Sequence, residues 1–132
     1  MCSKWSEYGR ILQEKGLVTQ FAFYSKGGHL WATTSSHFQV EPEEFTYLTA
    51  GFQDDSGLRQ RGLRVGGSHY TMTRLSNRGS IMVARDAASG HGCVICCCSR
   101  CVIVAAYEDS SQLGACYSAV ERLGDFLLDK GF

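Results

Sequence analysis

The stretch GLRVGGSHYTMTRLSNRGSIMVARDAASGHGCVICCCSRCVIVAAY, residues 62–107, decides the architecture. Its β-branched, aromatic and other apolar residues come in short runs that predict strands at 62–65, 70–75, 80–85, 93–98 and 101–107. The breaks between them are Gly66-Gly67, Asn77-Arg78-Gly79 and Ser89-Gly90-His91-Gly92, all turn-forming, with the last two strands almost abutting. Strands this close pair antiparallel, because a parallel pair needs a crossover of a dozen or more residues between its members.

On the N-terminal side of this meander, Pro42 at a first helical position and Glu43-Glu44 at the positive end of a helix dipole predict a short helix. Phe45, Leu48 and Phe52 share its inner face and it ends near Gly51. Further back, 18–24 and 30–34 read as strands joined by the permissive Lys26-Gly27-Gly28, a first hairpin. The chain opens on a helix in which Trp5, Tyr8 and Leu12 fall on one face, with Ser3 as cap and Gly16 as stop. On the C-terminal side, Cys116, Ala119, Val120, Leu123, Phe126 and Leu127 recur at helical spacing, and Gly131 stands just past Lys130. The fold class that follows is α+β. A central antiparallel sheet of about six or seven strands carries the N- and C-terminal helices side by side on one face and a further short helix on the other.

A chain of 132 residues, 44% hydrophobic and 20% charged, fits one domain spanning 1–132 and argues against disorder or a coiled coil. The odd count of seven cysteines and the charges that interrupt the first residues point to a reducing cytosol, and no run approaches the length of a membrane span. Net charge is zero, but residues 59–100 hold seven arginines against the single acid Asp86. That is either a solvated face or a surface for an acidic partner.

The motifs and their order resemble the profilin family, nearest to its plant and protist branch. Trp5-Ser6-Glu7-Tyr8 is similar to the family's aromatic opening, Leu30-Trp31-Ala32 to its second-strand tryptophan-alanine pair, and the run from Val120 to Leu127 to its C-terminal helix. Gly62-Leu63, Gly66-Gly67, Tyr107-Glu108 and Gly114-Ala115-Cys116 extend the match over essentially the whole chain. The resemblance implies a cytoplasmic, non-enzymatic regulator of actin filament assembly without metal or cofactor. It would bind monomeric actin, proline-rich proteins such as filament assembly factors, and phosphoinositide lipids, and no nucleic acid. Carried over by position, Trp5, Tyr8, Trp31, Phe126 and Phe132 would bind polyproline. His69, Thr71, Thr73, Arg74, Arg85, Gly114, Tyr117 and Ser118 would meet actin, and Arg74, Arg85 and Arg100 a phosphoinositide headgroup. The polyproline role also has a physical basis, since an extended polyproline helix presents rings and unpaired carbonyls to flat aromatic faces and indole or phenol donors. Lysines of relatives are replaced by Ala87-Ala88-Ser89 and by Cys96-Cys97-Cys98, which predicts weakened actin binding.

Cys93-Val94-Ile95-Cys96-Cys97-Cys98-Ser99-Arg100-Cys101 supports a rival reading, a redox or metal-binding protein on the same scaffold. Strand alternation opposes a metal site there: Cys96 and Cys98 point to one face and Cys97 to the other, so the thiolates do not close a tetrahedron. Cysteine also packs as a small hydrophobe. The glycine turns lack the lysine and strand–loop–helix context of a phosphate loop.

Overall fold

The computed structural model describes residues 3–15, 18–34, 38–54, 56–65, 68–76, 80–86 and 88–132. The predicted stop at Gly16, the turns at Gly66-Gly67 and Asn77-Arg78-Gly79, the Ser3 side-chain cap and Ala87 lie outside what is described. The elements run α1 (Ser3–Glu14), β1 (Gln20–Ser25), β2 (Leu30–Thr33), α2 (Pro42–Ala50), α3 (Ser56–Arg61), β3 (Leu63–Val65), β4 (Ser68–Ser76), β5 (Ile81–Arg85), β6 (Gly92–Cys97), β7 (Cys101–Tyr107) and α4 (Leu113–Asp129). A single 3₁₀ turn, Ser110–Gln112, leads into α4.

The seven strands form one sheet in the order β2-β1-β7-β6-β5-β4-β3, every neighbouring pair antiparallel. From β3 to β7 the chain is the predicted meander. The first hairpin then closes onto the last strand, β1 pairing β7 from Gln20↔Ala106 to Ser25↔Cys101. β1 and β7 are therefore interior strands, buried on both faces: Phe21 to Tyr24 and all seven residues of β7 are shielded from solvent.

Alternation along the strands sorts the apolar residues into two cores. On one face Phe21, Phe23, Ile81, Val94, Ile103, Ala105 and Tyr107 pack beneath α1 and α4, meeting Trp5, Leu12, Cys116, Val120 and Leu127. On the other, Ala22, Tyr24, Met82, Ile95, Val102 and Val104 pack beneath Phe45 and Leu48 of α2 and Leu58 of α3. Each fully buried Leu, Ile or Val among them contributes about 1.5–3 kcal/mol. The terminal helices thus share one face as expected, whereas the opposite face carries two short helices and not one. α3 escapes a periodicity argument because only Leu58 of its six residues is buried.

Close approach on the α1/α4 side is made possible by glycine. A Cβ built on Gly9 of α1 would lie 2.1 Å from the Phe21 ring, and one on Gly124 of α4 would lie 2.7 Å from Cys96 Sγ. α2 is set by the predicted Pro42 start and by a capping box, in which the Glu41 N–H donates to Glu44 Oε1 at 2.9 Å.

Candidate functional site

Trp5 and Tyr8 stand one turn apart on one face of α1, 5.8 Å between ring centroids and nearly perpendicular. β2, on the sheet edge beside α1, brings Trp31 flat against Trp5 at 4.6 Å. α4 brings Phe126 edge-on to Tyr8 at 5.7 Å. Phe132 arrives by the way α4 ends. Gly131, at φ 93°, takes the left-handed conformation that a side chain disfavours, the Phe132 N–H donates to Leu127 O (2.8 Å) and the Gly131 N–H to Leu128 O (3.1 Å), a Schellman motif. The chain is folded back so that the Phe132 ring lies 5.0 Å from Trp5 and 6.3 Å from Trp31. Five aromatic side chains from distant parts of the sequence form one continuous cluster.

Their exposure is graded. Trp5 is only 5% exposed, Tyr8, Trp31 and Phe132 are half-buried, and Phe126 is 42% exposed. Trp5 is therefore the floor: stacked below Trp31, flanked by Tyr8 and Phe132 and backed by Phe23 at 5.7 Å, it has little surface left to offer. Among the described residues the Tyr8 hydroxyl and the Trp31 indole N–H have no hydrogen-bond partner, which leaves two donors at the surface. The sequence reading missed Lys130, whose Nζ sits 5.4 Å from the Phe126 ring centroid; its i+4 spacing from Phe126 is the signal.

A second surface lies on the same side of the sheet, toward β4 and β5. Thr71 pairs with Arg85 and Arg74 with Val83, so Thr71, Arg74 and Arg85 share a face. A register shift between Met72 and Arg74 turns Arg74 onto that face, where its guanidinium carbon lies 4.8 Å from the ring centroid of Tyr117 in the first turns of α4. Gly114 and Ser118 are exposed beside it on α4, and Thr73, also exposed, donates to Val83 O at 3.2 Å. Among the described residues neither Arg74 nor Arg85 has a carboxylate partner. His69, one register step from β4's start, is held by Arg61 O, 2.9 Å from its Nε2. Arg100 is not brought to this group. It sits on the β6–β7 turn, roughly 15–20 Å along the sheet from Arg74 and Arg85 at about 3.3 Å per residue, so the three arginines do not converge on one headgroup.

The cysteine strand follows the expected alternation. Cys96 and Cys98 face the α1/α4 core with Cys101, while Cys97 packs against the opposite core and is half-exposed, with Lys26 Nζ 3.2 Å from its Sγ. Burial pushes the Cys116 thiol up to about 12 and Cys93 further up. Hydrogen bonding among the three thiols pulls Cys98 below the ordinary thiol range and pushes Cys101 and Cys96 up. Among the described residues, no group of three His, Cys, Asp or Glu side chains is placed to hold a metal ion.

The profilin family model matches residues 3–132. The chain belongs to the profilin family. It is 34% identical to Profilin-1B of Acanthamoeba castellanii over 117 residues, 89% of each chain. The fold superposes on profilin IA of the same organism with a TM-score of 0.87 at 28% identity, covering 97% of this chain and 99% of that one. It also superposes on mouse profilin IIa, solved in complex with a double repeat from the FH1 domain of mDia1, with a TM-score of 0.76 at 19% identity over 97% and 99% of the two chains. Among the described residues, no helix of this profilin-family chain is long and apolar enough to cross a membrane.

Proposed function

We propose that this profilin-family protein binds proline-rich segments on the cluster of Trp5, Tyr8, Trp31, Phe126 and Phe132, and monomeric actin on the surface of Thr71, Thr73, Arg74, Arg85, Gly114, Tyr117 and Ser118, with His69 at its rim. The observation that carries the reading is the convergence of five rings into one partly exposed surface, with the Tyr8 hydroxyl and the Trp31 indole N–H unpartnered among the described residues, which suits the ridged, carbonyl-bearing face of a polyproline helix. The mouse profilin IIa complex with an FH1-domain repeat supports a peptide ligand for this fold.

The two surfaces are separate, so one molecule delivers an actin monomer to a proline-rich assembly factor in the cytosol, by raising its local concentration and not by catalysis. Arg74 and Arg85 also offer the charge for a phosphoinositide headgroup, with Arg100 apart from them. Both tryptophans of the chain lie in the aromatic cluster, so intrinsic fluorescence reports on that site alone. Titration with a decaproline peptide should change the emission saturably, and titration with monomeric actin should give a one-to-one complex. Unchanged emission at millimolar peptide overturns the proline reading, and the absence of a complex at micromolar actin overturns the actin reading.

A further inference from the structure

The run Cys98-Ser99-Arg100-Cys101 is a Cys-x-x-Cys sequence that neither the aromatic cluster nor the β4–β5 surface uses. It forms the two-residue turn joining β6 to β7. With Cys96 opposite Ile103 and Cys97 opposite Val102, the next cross-strand pair is Cys98 with Cys101, and the Cys98 N–H donates to Cys101 O at 2.8 Å. Residues directly opposite on antiparallel strands hold their Cα atoms about 4.5–5.5 Å apart, within the roughly 4.4–6.8 Å that a disulfide spans. Both side chains face the α1/α4 core. Cys96 is the competing partner, its Sγ 3.9 Å from that of Cys98. It is two residues along the same strand, however, and its Cα lies about 6.6 Å away, at the far edge of the bridging range.

The surroundings favour reaction at Cys98. Hydrogen bonding with the Cys101 and Cys96 thiols pulls the Cys98 thiol below its ordinary range while theirs are pushed up, so Cys98 is the best nucleophile of the three. Gly124 of α4 packs over the Cys96 and Cys98 sulfurs without a side chain, and in the dithiol form the Cys98 thiol donates to its carbonyl at 4.0 Å. The turn is also tied to the aromatic cluster. The Arg100 N–H donates to the carbonyl of Phe132, and the Lys26 N–H donates to Arg100 O at 3.2 Å.

We propose that Cys98 and Cys101 form a reversible dithiol–disulfide pair, oxidised by hydrogen peroxide, in the turn that anchors Phe132 against Trp5 and Trp31. The Cys98 thiolate attacks one peroxide oxygen and the O–O bond breaks, giving a sulfenic acid and hydroxide, which takes up a proton. The Cys101 sulfur then attacks the sulfenyl sulfur, forming the S–S bond and releasing the second water. Two thiols lose two electrons and two protons, and one peroxide becomes two waters. Closing the bond draws the sulfurs to about 2.05 Å and shifts the turn that holds Phe132, altering the environment of both tryptophans.

The test treats the native protein with one equivalent of hydrogen peroxide, blocks remaining thiols with N-ethylmaleimide and digests with trypsin. Cleavage after Arg100 places the two cysteines on separate peptides, 86–100 and 101–122, which stay joined only through a disulfide between them. Tandem mass spectrometry should assign the link to Cys98 and Cys101, with loss of two thiols per chain. Tryptophan emission should shift and return with dithiothreitol, and Cys97→Ser should behave as the parent. Cys101→Ala, checked for folding by circular dichroism, should instead accumulate a dimedone-reactive sulfenic acid. A link to Cys96 or Cys116, a bridge between two chains, or oxidation confined to Cys97 overturns the pair. A Cys98–Cys101 bridge with unchanged emission overturns its connection to the aromatic cluster.

Discussion

Replacing Gly9 by alanine sets two effects of opposite sign against each other. In an exposed helix the change stabilises by about 1 kcal/mol, because glycine gives up more backbone freedom. Here the new methyl carbon would lie 2.1–2.4 Å from three atoms of the Phe21 ring, against an ordinary carbon contact of about 3.5–4.0 Å. The shortfall of about 1.5 Å has to be met by lifting α1 or turning Phe21. That ring is buried and packed at 5.6 Å against Phe23, so the helix moves. Overpacking of this kind costs about 1–3 kcal/mol, and the upper half of that range applies where the neighbour cannot yield; with the helix gain of about 1 kcal/mol subtracted, a net loss of about 1–2 kcal/mol remains. For a domain of this length that lowers the melting temperature by about 4–8 °C, measured by circular dichroism. Because α1 carries Trp5 and Tyr8, the same lift opens the 4.6 Å stack on Trp31, and decaproline affinity should fall about tenfold, equivalent to about 1.4 kcal/mol. Actin binding should hold, since β4, β5 and the start of α4 do not rest on Gly9. A melting temperature that is unchanged or higher, with peptide binding intact, would refute the packing argument.

The graded burial of the rings predicts that Trp31→Ala abolishes the peptide response while leaving the domain folded, whereas Trp5→Ala destabilises by about 3–5 kcal/mol; equal urea midpoints for the two variants would contradict the assignment of Trp5 as the floor. Arg74→Glu and Arg85→Glu should weaken actin binding and reduce its salt dependence without touching the peptide response; parallel loss of both activities would point to misfolding instead. The Cys93 and Cys116 thiols, raised by burial from an ordinary value of 9.0, keep their protons in the fold after the unfolded chain has lost them. Their contribution is therefore full below pH 9 and is lost as pH rises through the folded values. Cys96 and Cys101, also raised, add to the same loss, whereas Cys98, lowered, is ionised in both states there and adds no slope. The urea midpoint should fall between pH 9 and 11, and Cys93→Ala should flatten that fall.

The helices with caps and stripes, and every strand, are legible in the sequence because alternation and glycine turns are local signals. α3 is not, since SGLRQR buries one side chain and repeats nothing. Nor is the insertion of β1 beside β7, for which hydrophobic runs carry no address. The five aromatic residues are found by motif, but their order of burial depends on the Schellman turn that seats Phe132 and on Phe23 behind Trp5, neither of which spacing reveals. The separation of Arg100 from Arg74 and Arg85 is a matter of strand register, visible only once β5, β6 and β7 are laid side by side.

The place of β1 in the sheet bears on how the chain is made. Its partner across most of its length is β7, as in Ala22 opposite Val104, about eighty residues later. During synthesis at about 5–20 residues per second, the first hairpin waits roughly 4–16 seconds for the strand that completes it. Two strands alone are at best marginally stable in water, so Phe21 and Phe23 remain uncovered throughout that interval. The meander from β3 to β7, by contrast, pairs each strand with the one just made and can close as it emerges. Assembly therefore runs against the direction of synthesis: the later part forms the template, and the N-terminal hairpin and α1 are added to its open edge last. The aromatic surface, which needs Trp5, Trp31 and Phe132 together, comes into being only at that final step.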